Sequence, residues 1–450
     1  MFGSKPFYMS VWRWHFFAGL YAVPFLIMLA ATGLIMLYAP LIERAQNLDL
    51  YEVEAVSATP ISYEEQYQLV QKTYAGSTIS RFYLPAAPEE ATRFQVKTDG
   101  DTRQVFVDPY KGEVLGDLDM NSALGVWAES THGTFMAGDT GERLIEIAAS
   151  LTVLLILTGV FLWWPAKGES KIKAATTISR KGARPFWKDL HSVIGVWVAV
   201  ILLFFCISGL AWATVWGGKL TQAWSTFPME KRASSVSSTL THEDLNIEGL
   251  KEIPWALEQA PLPESTSHGA VSITLDRVVK DAKEMGFTQF QVSFPKDEVG
   301  VYTASASTMS KDIENAWDDR TVHFDRYSGS VLADVGFMDY NWFAKSMAAG
   351  IALHMGLFGL WNLIASTIFA LSVITLCVSG VVMWWKRRPS ARFALSPPPM
   401  PNNLARWKHA VWFLLPISLF FPLGAATIVV VLVLDAITGL VAPKLRQFWA

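Results

Sequence analysis

Leu190-His191-Ser192-Val193-Ile194-Gly195 opens an apolar run that continues to Ser208-Gly209-Leu210, and Trp14-His15-Phe16-Phe17-Ala18-Gly19 opens another that continues to Thr32-Gly33-Leu34. His15 precedes Gly33, and His191 precedes Gly209, by the same 18 residues. At about 3.6 residues per turn this is about five turns, so each histidine shares a helix face with its glycine. A second pair of helices repeats as well: Thr158-Gly159-Val160-Phe161-Leu162-Trp163-Trp164 matches Ser379-Gly380-Val381-Val382-Met383-Trp384-Trp385. His132 lies 27 residues before Gly159, and His354 lies 26 before Gly380. Imidazoles in or beside a bilayer are costly and mark function. Four of them in duplicated order point to ligands.

Composition places the chain in a membrane. Apolar residues make up 51% of the sequence and charged ones 17%, and 19 tryptophans suit the interfacial belts of a bilayer. A roughly 30 Å hydrocarbon core needs about twenty apolar residues per helix. The sequence predicts an integral membrane α-helical bundle built as a tandem repeat, with about five spans and two small α+β domains outside the membrane. The spans fall at 1–40, 141–165, 189–216, 346–386 and 409–435, the last kinked at Pro416 and Pro422. The α+β domains fall at 41–140 and 217–345, and an interfacial tail at 436–450. A straight helix from His354 to Trp384 would measure roughly 45 Å, which places His354 at the outer interface.

Orientation follows the basic loops. Loop 166–188 carries Lys167, Lys171, Lys173, Arg180, Lys181, Arg184 and Lys188, and loop 387–408 carries five basic residues and no acid. Both loops are expected in the cytoplasm, with the N-terminus, in a bacterial inner membrane; the α+β domains then lie in the periplasm. The first apolar run is too long for a signal peptide and lacks a small-x-small cleavage site, so it is expected to be retained. The net charge of −3 averages two unlike faces and points to no nucleic-acid partner. Cys206 and Cys377 each sit three residues before a repeat glycine and read as small apolar packing residues. No Cys-x-x-Cys-His occurs, so any haem would be held without thioether links.

The repeat continues outside the spans. Val105–Gly116 and Val322–Ala333 share a strand, an Asp-x-Tyr-x-Gly turn and a second strand, a hairpin signal. Tyr63–Tyr74 and Thr274–Gly286 read as helices, each followed by alternating strands. Residues 231–268, rich in Ser, Glu and Pro, read as a loop or flexible insertion.

The His-x-x-x-Gly openings, the Asp-x-Tyr-x-Gly hairpins and the Gly…Trp-Trp helix ends together resemble the PepSY-associated transmembrane family over roughly residues 1–390. The resemblance implies two PepSY-like periplasmic domains and an inner-membrane reductase for ferric siderophores carrying two b-type haems. The axial ligands would then be His15, His132, His191 and His354, and the partners a ferric siderophore, membrane lipid and a separate electron donor. The fifth span and the 231–268 insertion depart from the family pattern and leave substrate and partner open.

A b-type haem needs neutral imidazoles from facing helices and room for the porphyrin edge. Gly19 and Gly195, one turn beyond His15 and His191, remove side chains that would collide with a macrocycle, and Gly33 and Gly209 open the same faces at the far side. The bland alternative is that these glycines only let helices approach closely. Position relative to the basic loops pairs His15 with His191 near the cytoplasm and His132 with His354 near the periplasm; pairing within one copy is the alternative. His409 reads as an interfacial anchor, and His242, His268 and His323 as solvated. A ferric chelate is expected to dock between the two α+β domains, near Trp127, Phe135, Phe337 and Trp342.

No Gly-x-Gly-x-x-Gly or Walker loop is present, so the electron donor is expected to be separate, a quinol or a cytoplasmic reductase. No acid-lined path with discontinuous helices is evident in the spans, which argues against a transporter. Two further readings remain open. In one the chain is a non-enzymatic, membrane-anchored periplasmic binding or regulatory protein; in the other its histidines take a transition metal directly for import. The absorption spectrum of the purified protein separates the three.

Overall fold

Lipid offers no hydrogen bonds to a backbone, so apolar runs must satisfy their own amides as helices. The computed structural model describes residues 5–54, 59–98, 100–165, 167–222, 237–246, 251–266, 271–388, 395–398 and 419–441. Four helices in it are long and apolar enough to cross a membrane: Lys5–Gln46, Gly138–Trp163, Ala183–Leu210 and Gly359–Arg387, the first to fourth spans below. The chain divides into two compact units. A membrane unit takes residues 1–34, 131–220 and 365–450, and a sheet unit takes 35–130 and 221–364.

The expected single span over 346–386 is two helices. Trp342–His354 ends at the histidine, and the fourth span starts at Gly359. Gly356 and Gly359 take φ of 75° and 73°, values that favour glycine and end a helix. Asn362 bridges the break: its Oδ1 accepts from Phe358 N at 3.1 Å and its Nδ2 donates to Leu353 O at 3.1 Å. A straight 45 Å helix through His354 is therefore ruled out. The first copy breaks at the same place. Leu124–Thr134 carries His132 near its end, and Phe135 and Met136 follow with φ of 49° and 53° before the second span. Two consecutive non-glycine residues in the left-handed region store strain of the kind found at functional sites.

Within the membrane unit the spans pack through Val153, Val198, Leu202, Cys206, Val373 and Cys377. Both cysteines are free and buried there, as small apolar packing residues would be. A shorter apolar helix, Pro422–Val441, stands where the fifth span was expected. Pro422 is its first residue, where a missing N–H costs nothing, rather than a mid-helix kink. Residues 409–418, with Pro416, lie outside the described residues, as do 442–450; the helix runs past 435 into the stretch expected as a tail. A Cβ on Gly424 would stand 2.6 Å from Ser150 Cβ, so this helix and the second span need a glycine at their contact.

In the sheet unit the two expected α+β segments share one sheet. Its strands are β1 (Thr78–Tyr83), β2 (Thr92–Lys97), β3 (Thr102–Asp108), β4 (Glu113–Asp119), β5 (Ser237–Thr241), β6 (Pro261–Pro263), β7 (Gln291–Ser293), β8 (Val301–Ala306), β9 (Arg320–Asp325) and β10 (Val331–Gly336). Eight of them form one antiparallel sheet in the order β10-β9-β8-β7-β1-β2-β3-β4. The two repeats meet edge to edge, with Arg81 opposite Ser293, Phe82 opposite Val292 and Tyr83 opposite Gln291. Joining the edges removes two unpaired strand borders that would otherwise invite aggregation.

Alternation gives this sheet one apolar face. Phe82, Phe94, Val105, Val292, Ala304, Val322 and Phe324 form a core there with Val70 and Val278 from helices Tyr63–Thr73 and Leu275–Glu284. These two helices cap each other: Asp276 accepts from Tyr63 N and Glu64 N, each at 3.0 Å, and Glu64 accepts from Leu275 N at 2.9 Å. Carboxylates at both N-termini satisfy orphan amides and suit the helix dipoles. The two hairpin turns are alike in detail. Asp108 Oδ1 accepts from Tyr110 N and Lys111 N, and Asp325 Oδ1 from Tyr327 N and Ser328 N; Gly112 and Gly329 take φ of 66° and 73°.

The described part of 231–268 is ordered rather than loose. It contributes β5 and β6, and Ile253, Trp255 and Leu257 are fully buried. Glu252 pairs with the buried Arg81, whose guanidinium also donates to Leu245 O. Composition hid this, because a short apolar cluster is diluted by the polar residues around it.

Candidate functional site

His15 on the first span and His191 on the third bring their rings to 6.3 Å between centroids, with planes at 88°. The Nδ1 of His15 lies 2.9 Å from Thr158 Oγ1 on the second span, and the Leu155 backbone also hydrogen-bonds this imidazole. The Nδ1 of His191 lies 3.1 Å from Ser379 Oγ and 3.0 Å from Leu376 O on the fourth span. Among the described residues, Nε2 of neither histidine makes a hydrogen bond. Two imidazoles on one metal, each nitrogen about 2 Å from it and each ring centre about 1 Å further, have centres about 6 Å apart. The observed spacing matches that requirement.

His132 takes a third place of the same kind. Its Nδ1 lies 3.0 Å from Thr32 Oγ1 on the first span, with the Leu29 backbone hydrogen-bonding the ring. His354 is the last residue of its helix and belongs to the sheet unit, and the other three belong to the membrane unit.

Three of the repeat glycines stand beside the imidazoles. A Cβ on Gly159 would stand 3.2 Å from His15 Cε1, one on Gly380 3.4 Å from His191 Cε1, and one on Gly33 3.7 Å from His132 Cε1. These glycines make room for imidazoles arriving from neighbouring segments. Gly19 and Gly195 face Leu155 and Leu376 at 3.7 and 3.5 Å, ordinary contacts that fit the bland reading of close helix approach.

The remaining histidines divide. His268 and His409 lie outside the described residues. His242 and His323, expected in solvent, are buried and joined Nε2 to Nε2 at 3.0 Å. His242 Nδ1 donates to Ala260 O at 2.7 Å, and His323 Nδ1 lies 2.9 Å from Thr303 Oγ1. Burial lowers the pKa of His242 to about 4 and that of His323 well below its ordinary value. A neutral chain satisfies every nitrogen: Thr303 O–H donates to His323, His323 Nε2–H to His242, and His242 Nδ1–H to the carbonyl. This pair ties the β5–β6 segment to the sheet.

Of the aromatics expected around a chelate, Trp127, Phe135 and Trp342 are exposed, and Phe337 is buried against Trp317 and Tyr340. The two α+β segments expected to flank a chelate are hydrogen-bonded to each other along the β1–β7 seam. Sequence reasoning missed two features. Glu146, a buried acid inside the second span, accepts from Val215 N at 3.2 Å and caps the π-helix Thr214–Gln222. The hydroxyls of Thr32, Thr158 and Ser379 were the other; the signal for them is the Thr or Ser directly before Gly33, Gly159, Gly209 and Gly380.

The family described as the PepSY-associated TM region matches residues 12–387. No curated protein matches the chain.

Proposed function

The chain belongs to the PepSY-associated transmembrane family, and from that premise we propose that it is a di-haem b-type inner-membrane reductase that delivers electrons to a periplasmic ferric siderophore. The observation that carries the proposal is the approach of His15 and His191, 6.3 Å between ring centres with orthogonal planes and, among the described residues, no hydrogen bond at either Nε2. These two residues would hold one haem. For a second haem on His132 and His354 the support is the repeat in the sequence, which gives each half a second histidine. A bound b-type haem supplies one-electron transfer, and the protein's part is to fix ligands, burial and hydrogen bonding.

The basic loops assign the His15–His191 pair to the cytoplasmic side, where a quinol or a cytoplasmic reductase would donate, and the sheet unit to the periplasm. One electron converts ferric iron to ferrous, which hard oxygen chelators hold less tightly. Exposed Trp127 and Trp342 on the sheet unit offer apolar surface to a bulky chelate. In sealed vesicles of known orientation, a membrane-impermeant ferric chelate should be reduced only from the periplasmic face. Equal reduction from both faces would contradict the scheme.

A further inference from the structure

Three imidazoles in this protein meet the same two-residue step on another segment: His15 at Thr158-Gly159, His132 at Thr32-Gly33 and His191 at Ser379-Gly380. Each hydroxyl has already committed its proton to its own helix. Thr158 Oγ1 donates to Leu154 O at 2.6 Å, Thr32 Oγ1 to Met28 O at 2.8 Å and Ser379 Oγ to Leu376 O at 2.8 Å. A hydroxyl whose proton is spent can only accept from an imidazole, so the ring nitrogen facing it must carry hydrogen. For His191 the conclusion is independent of the hydroxyl, because Leu376 O, 3.0 Å from Nδ1, is an acceptor in any case. The glycine that follows each hydroxyl leaves space for the ring's Cε1 edge.

We infer that Thr158 and Ser379 are positioning residues that lock His15 and His191 in the Nδ1–H tautomer, so that each Nε2 keeps the lone pair with which it would hold a haem iron, and that Thr32 holds His132 in the same tautomer. The inference rests on the haem reading for its consequence, but not for the tautomer itself. An accepted Nδ1–H bond raises the basicity of Nε2 and favours the ferric over the ferrous state, as second-layer partners of metal-bound histidines do. Ser208, the fourth hydroxyl before a repeat glycine, is back-bonded in the same way, to Phe204 O at 2.8 Å.

The test uses the full-length protein in nanodiscs. Thr158→Val keeps the shape and removes the acceptor, and Thr158→Ser restores it. With haem bound, Thr158→Val should shift the ferric-over-ferrous preference of one haem about tenfold, a rise of about 59 mV for one electron, and Thr158→Ser should return it. An unchanged potential in a folded, haem-loaded Thr158→Val protein overturns the inference. Nitrogen-15 NMR of histidine-labelled protein without haem decides the same point: His15, His132 and His191 should show Nδ1–H signals at neutral pH, and Nε2–H signals at these positions overturn it. A wild-type protein that takes up no haem defeats the functional reading alone, because the tautomer signals still stand or fall independently.

Discussion

Gly159, Gly380 and Gly33 leave unequal room for the imidazoles beside them, at 3.2, 3.4 and 3.7 Å from a would-be Cβ. An added methyl at Gly159 must push His15, whereas at Gly33 it makes an ordinary contact; overpacking of this sort costs about 1–3 kcal/mol. Haem retention should therefore fall most in Gly159→Ala, about tenfold on the scale of second-layer changes, less in Gly380→Ala and least in Gly33→Ala. Haem-to-protein ratios of the three variants check this, and equal losses would contradict it. At this scale the sequence was informative about which residues matter and silent about what they touch. The 18-residue interval placed Gly33 on the face of His15, but the side chain that fills its space is His132, which arrives from a separate helix. The hydroxyls stood in the quoted motifs, and their role depends on neighbours that periodicity does not name.

Helix breaks and caps belong to the scale of elements. The run 346–386 reads as one span because Gly356-Leu357-Phe358-Gly359 is apolar, and hydropathy is blind to a left-handed φ. A buried acid inside a span was likewise illegible in function: Glu146 accepts from the backbone of Val215 and Trp216, where a π-helix begins without partners of its own. Glu146→Ala would leave these amides unsatisfied in an apolar setting, at about 1–3 kcal/mol, and Glu146→Gln, which keeps an acceptor, should lose less. Thermal melting in detergent distinguishes them; equal destabilisation by both variants would show that the carboxylate's charge matters rather than its acceptor. The hairpins and their two helices were legible because Asp, Tyr and Gly in fixed register specify a turn locally.

For the whole molecule, the edge-to-edge union of two repeats and the burial of His242 against His323 depend on contacts far apart in sequence, which local patterning cannot show. A histidine inside a polar segment reads as solvated until its strand and the covering segment are known. The buried pair predicts a pH dependence. Its folded pKa lies below the unfolded one, so its contribution is fully present above about 6.5 and is lost as pH falls toward about 4. Asp319, pushed up to about 7 by burial, works in the opposite direction, so the signal is the difference between variants. His242→Gln should lower the melting temperature at neutral pH and flatten its decline between about pH 6.5 and 4. A decline parallel to wild type would mean that the pair does not titrate with unfolding.

The central claim is that His15 and His191 share a haem, and its most direct test is the absorption spectrum and haem-to-protein ratio of the detergent-purified chain beside His15→Ala and His191→Ala. The account predicts reduced b-type bands at about two haems per chain in the wild type. It also predicts loss of one and the same haem in either variant, with the protein still inserted and folded. A colourless wild type, or variants that keep the full complement, would contradict it.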